Sequence, residues 1–475
     1  MDASLREELR ELLVGALGES KVLWKKTDVL PYTADTHIGV IRQGEDLKHF
    51  PDLVVLPETT LEVQKVVKLA SRHKIPLLPK GGGSNRTGML LPIHGGIVVD
   101  TIKMNKVVEV SVPNLYVTVQ PGITLKELEE HLEEHGLALN QEQGSFKVAT
   151  VGGSISTAGF GRKHQKYGAI SDRVMSLEVV LADGSILRTG PKVLYTSTGY
   201  RLNQLFIGAE GTLGIIVEAT LRVEPLPEAR DLVMGFFDNF WEALEAAKKT
   251  LASGVTFVGG EAYELDNAAS WGGPQGKNGV FYVSLEGTKG EVEAEEDFVK
   301  RIIEEAGGIL ANEDAAGRLS GKYTIQWCGA RAVTGYEDSF MPYVPLEKTR
   351  QFYDKVWNEI MPKYGIVPSA DGKYGVDIGR YKMVYGKFCI SLGEKGWEDY
   401  KKAFREIVEL AASMGGSIAG CAGIGIKHQD YLGLEYSDIA LDVMWRIKKA
   451  LDPDDIMNPG KKLPLRKLPN PAENG

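Results

Sequence analysis

The stretch Pro79-Lys-Gly-Gly-Gly-Ser-Asn-Arg-Thr-Gly88 and its later counterpart Thr150-Val-Gly-Gly-Ser-Ile-Ser-Thr-Ala-Gly-Phe-Gly161 decide the reading of this chain. Glycine tolerates positive φ and lets the backbone approach a ligand, so clustered glycines leave N–H groups free for phosphate oxygens. Two such segments, each behind a β-rich stretch, predict a long ligand with a diphosphate in its middle. The pattern is not a Rossmann fingerprint: no GxGxxG opens a helix after the first strand, and no acidic ribose ligand is suggested.

Working outward, residues 53–56, 97–99, 107–112 and 116–119 are β-branched runs that read as strands. Thr60–Ala70 carries apolar positions at helical spacing behind a threonine cap. Thr124 followed by Glu127 is a capping box that opens a second helix. Strand and helix alternate up to residue 228, where Pro225, Pro227 and Glu228-Ala-Arg-Asp231 mark a boundary. Beyond it the pattern predicts helices over Asn239–Leu251, Glu291–Glu305 and Trp397–Met414, and a strand over Val280–Leu285. Strands mixed with long helices imply an α+β cap of ferredoxin-like style. A last helix spans Tyr436–Ala450.

The order of motifs carries a resemblance. Pro51-Asp-Leu-Val-Val-Leu-Pro57, the first glycine segment, Gln120-Pro-Gly122 and the second segment follow one another. Tyr167-Gly168, Leu177–Gly184, Leu205–Ile216 and the closing Leu451-Asp-Pro-Asp-Asp-Ile-Met-Asn-Pro-Gly-Lys461 come after them. Together they resemble the FAD-binding PCMH-type (vanillyl-alcohol oxidase/p-cresol methylhydroxylase) flavoprotein superfamily, in the branch of D-lactate dehydrogenase and the glycolate oxidase FAD subunit. The resemblance implies an α+β fold: a two-subdomain FAD-binding domain with the N-terminal helix (1–228), a cap or substrate domain (229–425) and a C-terminal segment returning to the FAD domain (426–475).

The cofactor so implied is FAD. By motif, Gly81, Gly82, Gly83, Ser84 and Asn85 belong to the diphosphate side, and Gly152, Gly153, Ser156, Gly159 and Gly161 to the second side. Ile216 lies toward the adenine, and Asn458 approaches the flavin ring. Pro79, Gly88, Pro121, Gly122, Thr150, Tyr167, Glu210 and Gly211 are further cofactor-binding residues that the resemblance implies. Some superfamily members tether FAD through a histidine in the first loop; Ser84 and Asn85 stand there, so FAD is expected to be noncovalent. His164, after the second segment, is read as solvated or phosphate-facing rather than as a tether.

The substrate side departs from the branch. Its usual metal-binding histidines are absent from the matching segments Gly379–Phe388 and Gly420–Gly425, and of eight histidines only His428 follows residue 164. No metal site of that kind is expected. Arg331, in Trp327-Cys-Gly-Ala-Arg331, resembles the arginine that pairs with the substrate carboxylate, a task its planar fork suits. Arg380 stands where the first metal histidine would be sought. His428 is the candidate acceptor of a hydroxyl proton, and Tyr323, Tyr374, Tyr381 and Tyr385 lie near these candidates in sequence. For each, a structural ion pair or a satisfied core side chain competes with the catalytic role.

Composition agrees with a large enzyme of 475 residues. The net charge of −9 argues against nucleic acid as partner. Three scattered cysteines, Cys328, Cys389 and Cys421, do not supply the four thiolates of an iron–sulfur cluster. The N-terminus has neither a signal-peptide core nor a spanning stretch, so a cytoplasmic location is expected. The leading expectation is oxidation of the C–OH of a small 2-hydroxy acid, with electrons passing to a separate acceptor (an electron-transfer flavoprotein, a quinone or an iron–sulfur subunit) and with homodimerisation open. The alternatives are an aromatic or phenolic alcohol oxidase or dehydrogenase, and a FAD-bearing electron-transfer subunit.

Overall fold

The computed structural model describes residues 1–35, 49–265, 268–312, 337–368, 374–378, 383–389 and 393–464. Tyr323, Arg331, Arg380 and Tyr381 therefore lie outside the described residues, as does Cys328.

The N-terminal part holds two sheets. In the first, β2 (Leu53–Val55), β4 (Ile97–Asp100) and β3 (Leu77–Lys80) run parallel, with β1 (Val22–Leu23) antiparallel to β2. These strands are short apolar runs because both faces are covered. Helix α1 (Ala3–Leu17) contributes Leu9, Leu13 and Leu17 to one face, and α2 (Thr60–His73) contributes Val63, Val66, Val67 and Ala70. The cap of α2 is Thr59, whose hydroxyl accepts from the Glu62 amide. The second sheet is antiparallel, in the order β5 (Val107–Ser111), β6 (Tyr116–Val119), β10 (Ile215–Arg222), β8 (Val174–Val180), β9 (Ile186–Arg188). Helix α3 (Leu125–Glu133), opened by the Thr124/Glu127 capping box, packs in its core. A small ladder of β7 (Leu137–Ala138) and β11 (Glu224–Pro225) lies beside it.

The cap is an eight-stranded sheet, β15 (Ile309–Leu310), β12 (Ala229–Phe237), β14 (Gly279–Gly287), β13 (Gly259–Glu264), β18 (Tyr374–Ile378), β19 (Val384–Cys389) and β16 (Glu337–Phe340), with β17 (Val367–Pro368) also on β19. Helices over Val151–Ser156 (α4) and His164–Tyr167 (α5) belong to the FAD side; α6 (Phe240–Ala252), α7 (Lys289–Glu305) and α8 (Gly393–Ser413) cover one face of the cap sheet.

The chain end returns to the first domain for a backbone reason. The Leu77 amide donates to Ile456 O, and the Asn458 amide donates to Leu77 O, both at 2.7 Å, so residues 456–458 extend the sheet along β3. Ile456 and Met457 complete that core. The preceding helix α9 (Asp438–Leu451) buries one residue fully, Lys448, whose ammonium reaches Asp452, Thr212 O and Met457 O. The helix, through Lys448, and the strand-like segment after it thus make the return together.

Candidate active site

The two glycine segments meet each other before they meet any ligand. A β-carbon at Gly82 would lie 1.7 Å from Val148 O, and one at Gly81 would lie 2.2 Å from Thr150 Oγ1. No larger residue permits that approach, which presses the first loop against the entrance of the second segment. The second segment is not a loop throughout. Thr150 caps α4 by accepting from the Gly153 amide at 3.2 Å, and Gly152 lets the helix rest on Pro121. The sequence reading expected a loop there because glycines disfavour helices by about 1 kcal/mol each; capping and packing override that preference. No acceptor among the described residues takes the amides of Gly82, Gly83 or Ser84.

These segments form one wall of an open cleft of about 320 Å³. Of the residues singled out by sequence, Pro79, Gly81, Gly82, Gly83, Ser84, Asn85, Pro121, Thr150, Gly152, Gly153, Ser156, Gly159, Gly161, Glu210, Gly211, Ile216, Asn458 and Tyr385 line it. His164 does too, 98% buried with its ring 5.3 Å from Phe160; of the two readings from sequence, solvated or phosphate-facing, burial removes the first.

Strand alternation builds the opposite wall. Ala262, Tyr374, Val376, Ile378, Val384 and Phe388 point to the helix-covered core of the cap. Their neighbours Glu261, Tyr263, Asp377 and Tyr385 therefore share the other face and line the cleft, together with Met341, Met383 and Cys421. Tyr385 lies across Gly375, where a β-carbon would fall 2.3 Å from its hydroxyl, and its ring meets Tyr263 at 5.4 Å. Glu261 and Asp377 are directly paired residues of β13 and β18, and Glu261 in turn faces Tyr282 on β14. Tyr282 Oη donates to Glu261 Oε2 at 2.5 Å, and Asp377 is hydrogen-bonded to Glu261. Burial, then the charge and hydrogen bond of Glu261, push the Asp377 carboxyl well above the usual range, while Arg162 pulls it back. Burial pushes the Cys421 thiol up to about 12.

Four sequence candidates stand elsewhere. Tyr167 donates to Glu286 Oε2 of the cap at 3.1 Å and does not line the cleft. Glu286 also receives Lys163 at 2.6 Å and Arg230 at 3.3 Å, so Tyr167 belongs to an interdomain joint. Gly88 packs on Ile426 and Gly122 on Thr101 O, both behind the lining. His428 is 93% buried with its ring 5.4 Å from Phe404 of α8, away from the cleft. Its neighbour Lys427 also lies against Phe404, its ammonium 4.7 Å over the ring, but that ammonium extends to the junction with Asp338 and Arg86. Lys427 Nζ bonds Asp338 Oδ2 at 2.7 Å, Tyr400 Oη donates to the same oxygen at 2.6 Å, and Arg86 donates to Ser339 Oγ at 2.6 Å. Burial opposes ionisation of Asp338, but Lys427 and then Arg86 outweigh it and hold its carboxyl at about 2.

Two lining residues that face the other way are already engaged. The Glu210 carboxylate accepts from the amides of Ile424 (2.7 Å) and Gly425 (2.8 Å), fastening the C-terminal segment over the cleft. Asn458 Nδ2 donates to Glu210 O at 2.8 Å while its buried Oδ1 has no partner among the described residues. Gln143, missed in the sequence, accepts from Ser154 Oγ and keeps on the lining a buried Nε2 with no partner among the described residues. Free backbone amides on a glycine-built loop, with orphaned side-chain donors and acceptors along one cleft, fit a dinucleotide. Among the described residues no group of three or more His, Cys, Asp or Glu is placed to hold a metal ion.

Residues 51–190 match the FAD binding domain family, and residues 226–462 match the C-terminal domain of FAD linked oxidases. The chain belongs to the FAD-linked oxidases. This oxidoreductase is 30% identical over 425 residues to glycolate oxidase subunit GlcD of Bacillus subtilis, covering 86% of this chain and 88% of that protein. It is 32% identical over 434 residues to D-lactate dehydrogenase of Archaeoglobus fulgidus, covering 88% and 92%. Its fold matches the structure of p-cresol methylhydroxylase with a TM-score of 0.79 at 19% identity, covering 98% of both chains. FAD is thus the cofactor of this PCMH-type fold. No helix among the described residues is long and apolar enough to cross a membrane.

Proposed function

We propose that this FAD-linked oxidoreductase oxidises the C–OH carbon of a small 2-hydroxy acid of the lactate, glycolate or 2-hydroxyglutarate kind. One observation carries the reading: the glycine segments and the polar face of the cap sheet line the same cleft, which gives flavin and substrate one shared space. The names of the B. subtilis and A. fulgidus relatives supply the substrate class. Bound FAD, held noncovalently, supplies the hydride acceptor at N5. The Gly82–Ser84 amides hold the diphosphate, with Gly152, Gly153, Ser156, Gly159 and Gly161 on the second side, Ile216 toward the adenine and Asn458 at the flavin ring. Arg331 is proposed as the partner of the substrate carboxylate. Electrons then pass to a separate acceptor, in a cytoplasmic setting.

A second reading, oxidation of an aromatic or phenolic alcohol, is favoured by the Tyr263–Tyr385 pair and by Met341 and Met383 on the cap wall. Aromatic rings and thioethers pack well against a flat apolar substrate. Anaerobic mixing of the FAD-loaded protein with a panel of hydroxy acids and aromatic alcohols separates the two. Loss of the flavin's visible absorbance with D-lactate or a relative supports the first; bleaching only by aromatic alcohols overturns it.

A further inference from the structure

We infer that Glu261 and Asp377 form a carboxylate–carboxyl pair whose ionised member, Glu261, takes the proton from the substrate hydroxyl during oxidation. The inference rests on the hydroxy-acid reading above and names the group that completes it.

The pair is built by the cap sheet. Directly opposed residues on adjacent antiparallel strands hold their β-carbons about 5 Å apart, and two like charges there repel. Glu261 and Asp377 occupy such positions, both on the cleft face, with Asp377 7% exposed. A buried carboxyl in hydrogen-bonding contact with a half-buried one shares a proton with it, because the second ionisation meets the first charge. The strands also decide which member keeps the charge. Glu261 accepts from Tyr282 Oη at 2.5 Å as well as from Asp377, whereas burial and the Glu261 carboxylate raise the Asp377 carboxyl against a smaller pull from Arg162. The shared proton therefore sits on Asp377.

The other titratable groups on the cleft are spoken for. Glu210 accepts from two backbone amides, Glu142 pairs with Lys163 at 3.1 Å, and Cys421 stays a thiol at neutral pH. Tyr263 and Tyr385 carry phenols that donate rather than accept at neutral pH. His164 packs on Phe160 on the glycine side. Glu261 is the described carboxylate on the cap face of the cleft whose hydrogen bonds come from a phenol and a carboxyl, both able to move with a proton.

The step balances. The substrate O–H bond breaks and its proton goes to a Glu261 oxygen. The C–H electron pair leaves as hydride for the flavin, and the carbonyl forms. The pair then holds two protons and is neutral, and one proton returns to solvent before the next turnover. Among the described residues, Arg162, Tyr282 and Cys421 are charged or titratable groups that act on the pair.

Two variants of the FAD-loaded full chain test this by stopped flow, using a hydroxy acid that bleaches the wild type. Glu261→Gln is expected to slow flavin reduction by at least about 100-fold, the lower end for a general base, with the oxidised flavin spectrum and KM little changed. Asp377→Asn, whose amide still donates to Glu261, is expected to stay within about tenfold. Reduction of the Glu261→Gln flavin within about threefold of wild type overturns the catalytic role. A readout that needs no turnover is the protonated-carboxyl band in infrared difference spectra. It is expected to persist at neutral pH in the wild type and to vanish in Asp377→Asn; its absence from the wild type overturns the pair. If no hydroxy acid bleaches the wild-type flavin while this band is present, the substrate reading fails and the shared proton stands.

Discussion

Replacing Lys427 by methionine tests how the cap is held on the FAD domain. Lys427 Nζ lies 2.7 Å from Asp338 Oδ2, both side chains are nearly inaccessible, and Arg86 reaches the same carboxylate at 3.5 Å. The fall of the Asp338 carboxyl from 3.8 to about 2 corresponds to about 2.5 kcal/mol of folded-state preference for the ion. Removing one partner of a buried pair typically costs about 3–5 kcal/mol. Arg86 and Tyr400 remain, so a loss of about 3 kcal/mol at neutral pH is expected. The sign with pH follows from the lowered value. The Asp338 contribution is present above its unfolded pKa and is lost as pH falls from about 4 toward 2. The variant lacks most of it at neutral pH, so the gap between wild type and variant should close on acidification. The cation over the Phe404 ring, 4.7 Å away, is lost at every pH and leaves a residual difference. Urea unfolding followed by tryptophan fluorescence, which reports Trp357 and Trp397 in the cap, measures both quantities. A variant within about 0.5 kcal/mol of wild type at neutral pH, or a gap that widens on acidification, would refute the reasoning.

Gly82→Ala should yield protein that purifies with little flavin and unfolds earlier, since its β-carbon falls 1.7 Å from Val148 O; full flavin content in the purified variant counts against the loop contact. Tyr167→Phe removes a hydrogen bond to Glu286 and should cost about 1 kcal/mol of stability while leaving the flavin absorbance spectrum unshifted; a displaced spectrum would put Tyr167 on the cofactor after all. Asp377 has a raised carboxyl in the folded state, so its contribution is greatest at acid pH and is lost as pH rises. Asp377→Asn should therefore gain in melting temperature relative to wild type from about pH 5 to about pH 8, and a constant difference across that range would contradict the shift.

Most elements were legible because local pattern and final packing agree. The capping box at Thr124/Glu127, the apolar spacing of α2 and the β-branched runs of β2 and β4 each point to the element that forms. Where they disagreed, a tertiary contact won: α4 is helical although glycine-rich, because Thr150 caps it and Pro121 receives its small side. The cofactor half was readable from local motifs, while Tyr167 was misplaced because its motif sits beside the cleft and its hydroxyl turns toward the cap. The substrate half was hardly readable. Glu261 and Asp377 are ordinary acidic residues in their own segments, and only the β13–β18 register sets them face to face. His428 drew attention as the last histidine in the chain, yet Lys427 holds the junction, because only its longer side chain extends past Phe404 to Asp338.

By itself the sequence determined the FAD-binding architecture, the two glycine segments that line the cleft and the absence of the branch's histidine pair from its two matching segments. These are properties of residue type and local order, which backbone sterics and capping translate into structure nearly one for one. The tertiary structure alone decided which carboxyls share a proton, which cation locks the domains, and that both glycine segments open on the cap's acidic face. Those outcomes depend on register between strands distant in sequence and on burial, and neither is encoded in any single segment.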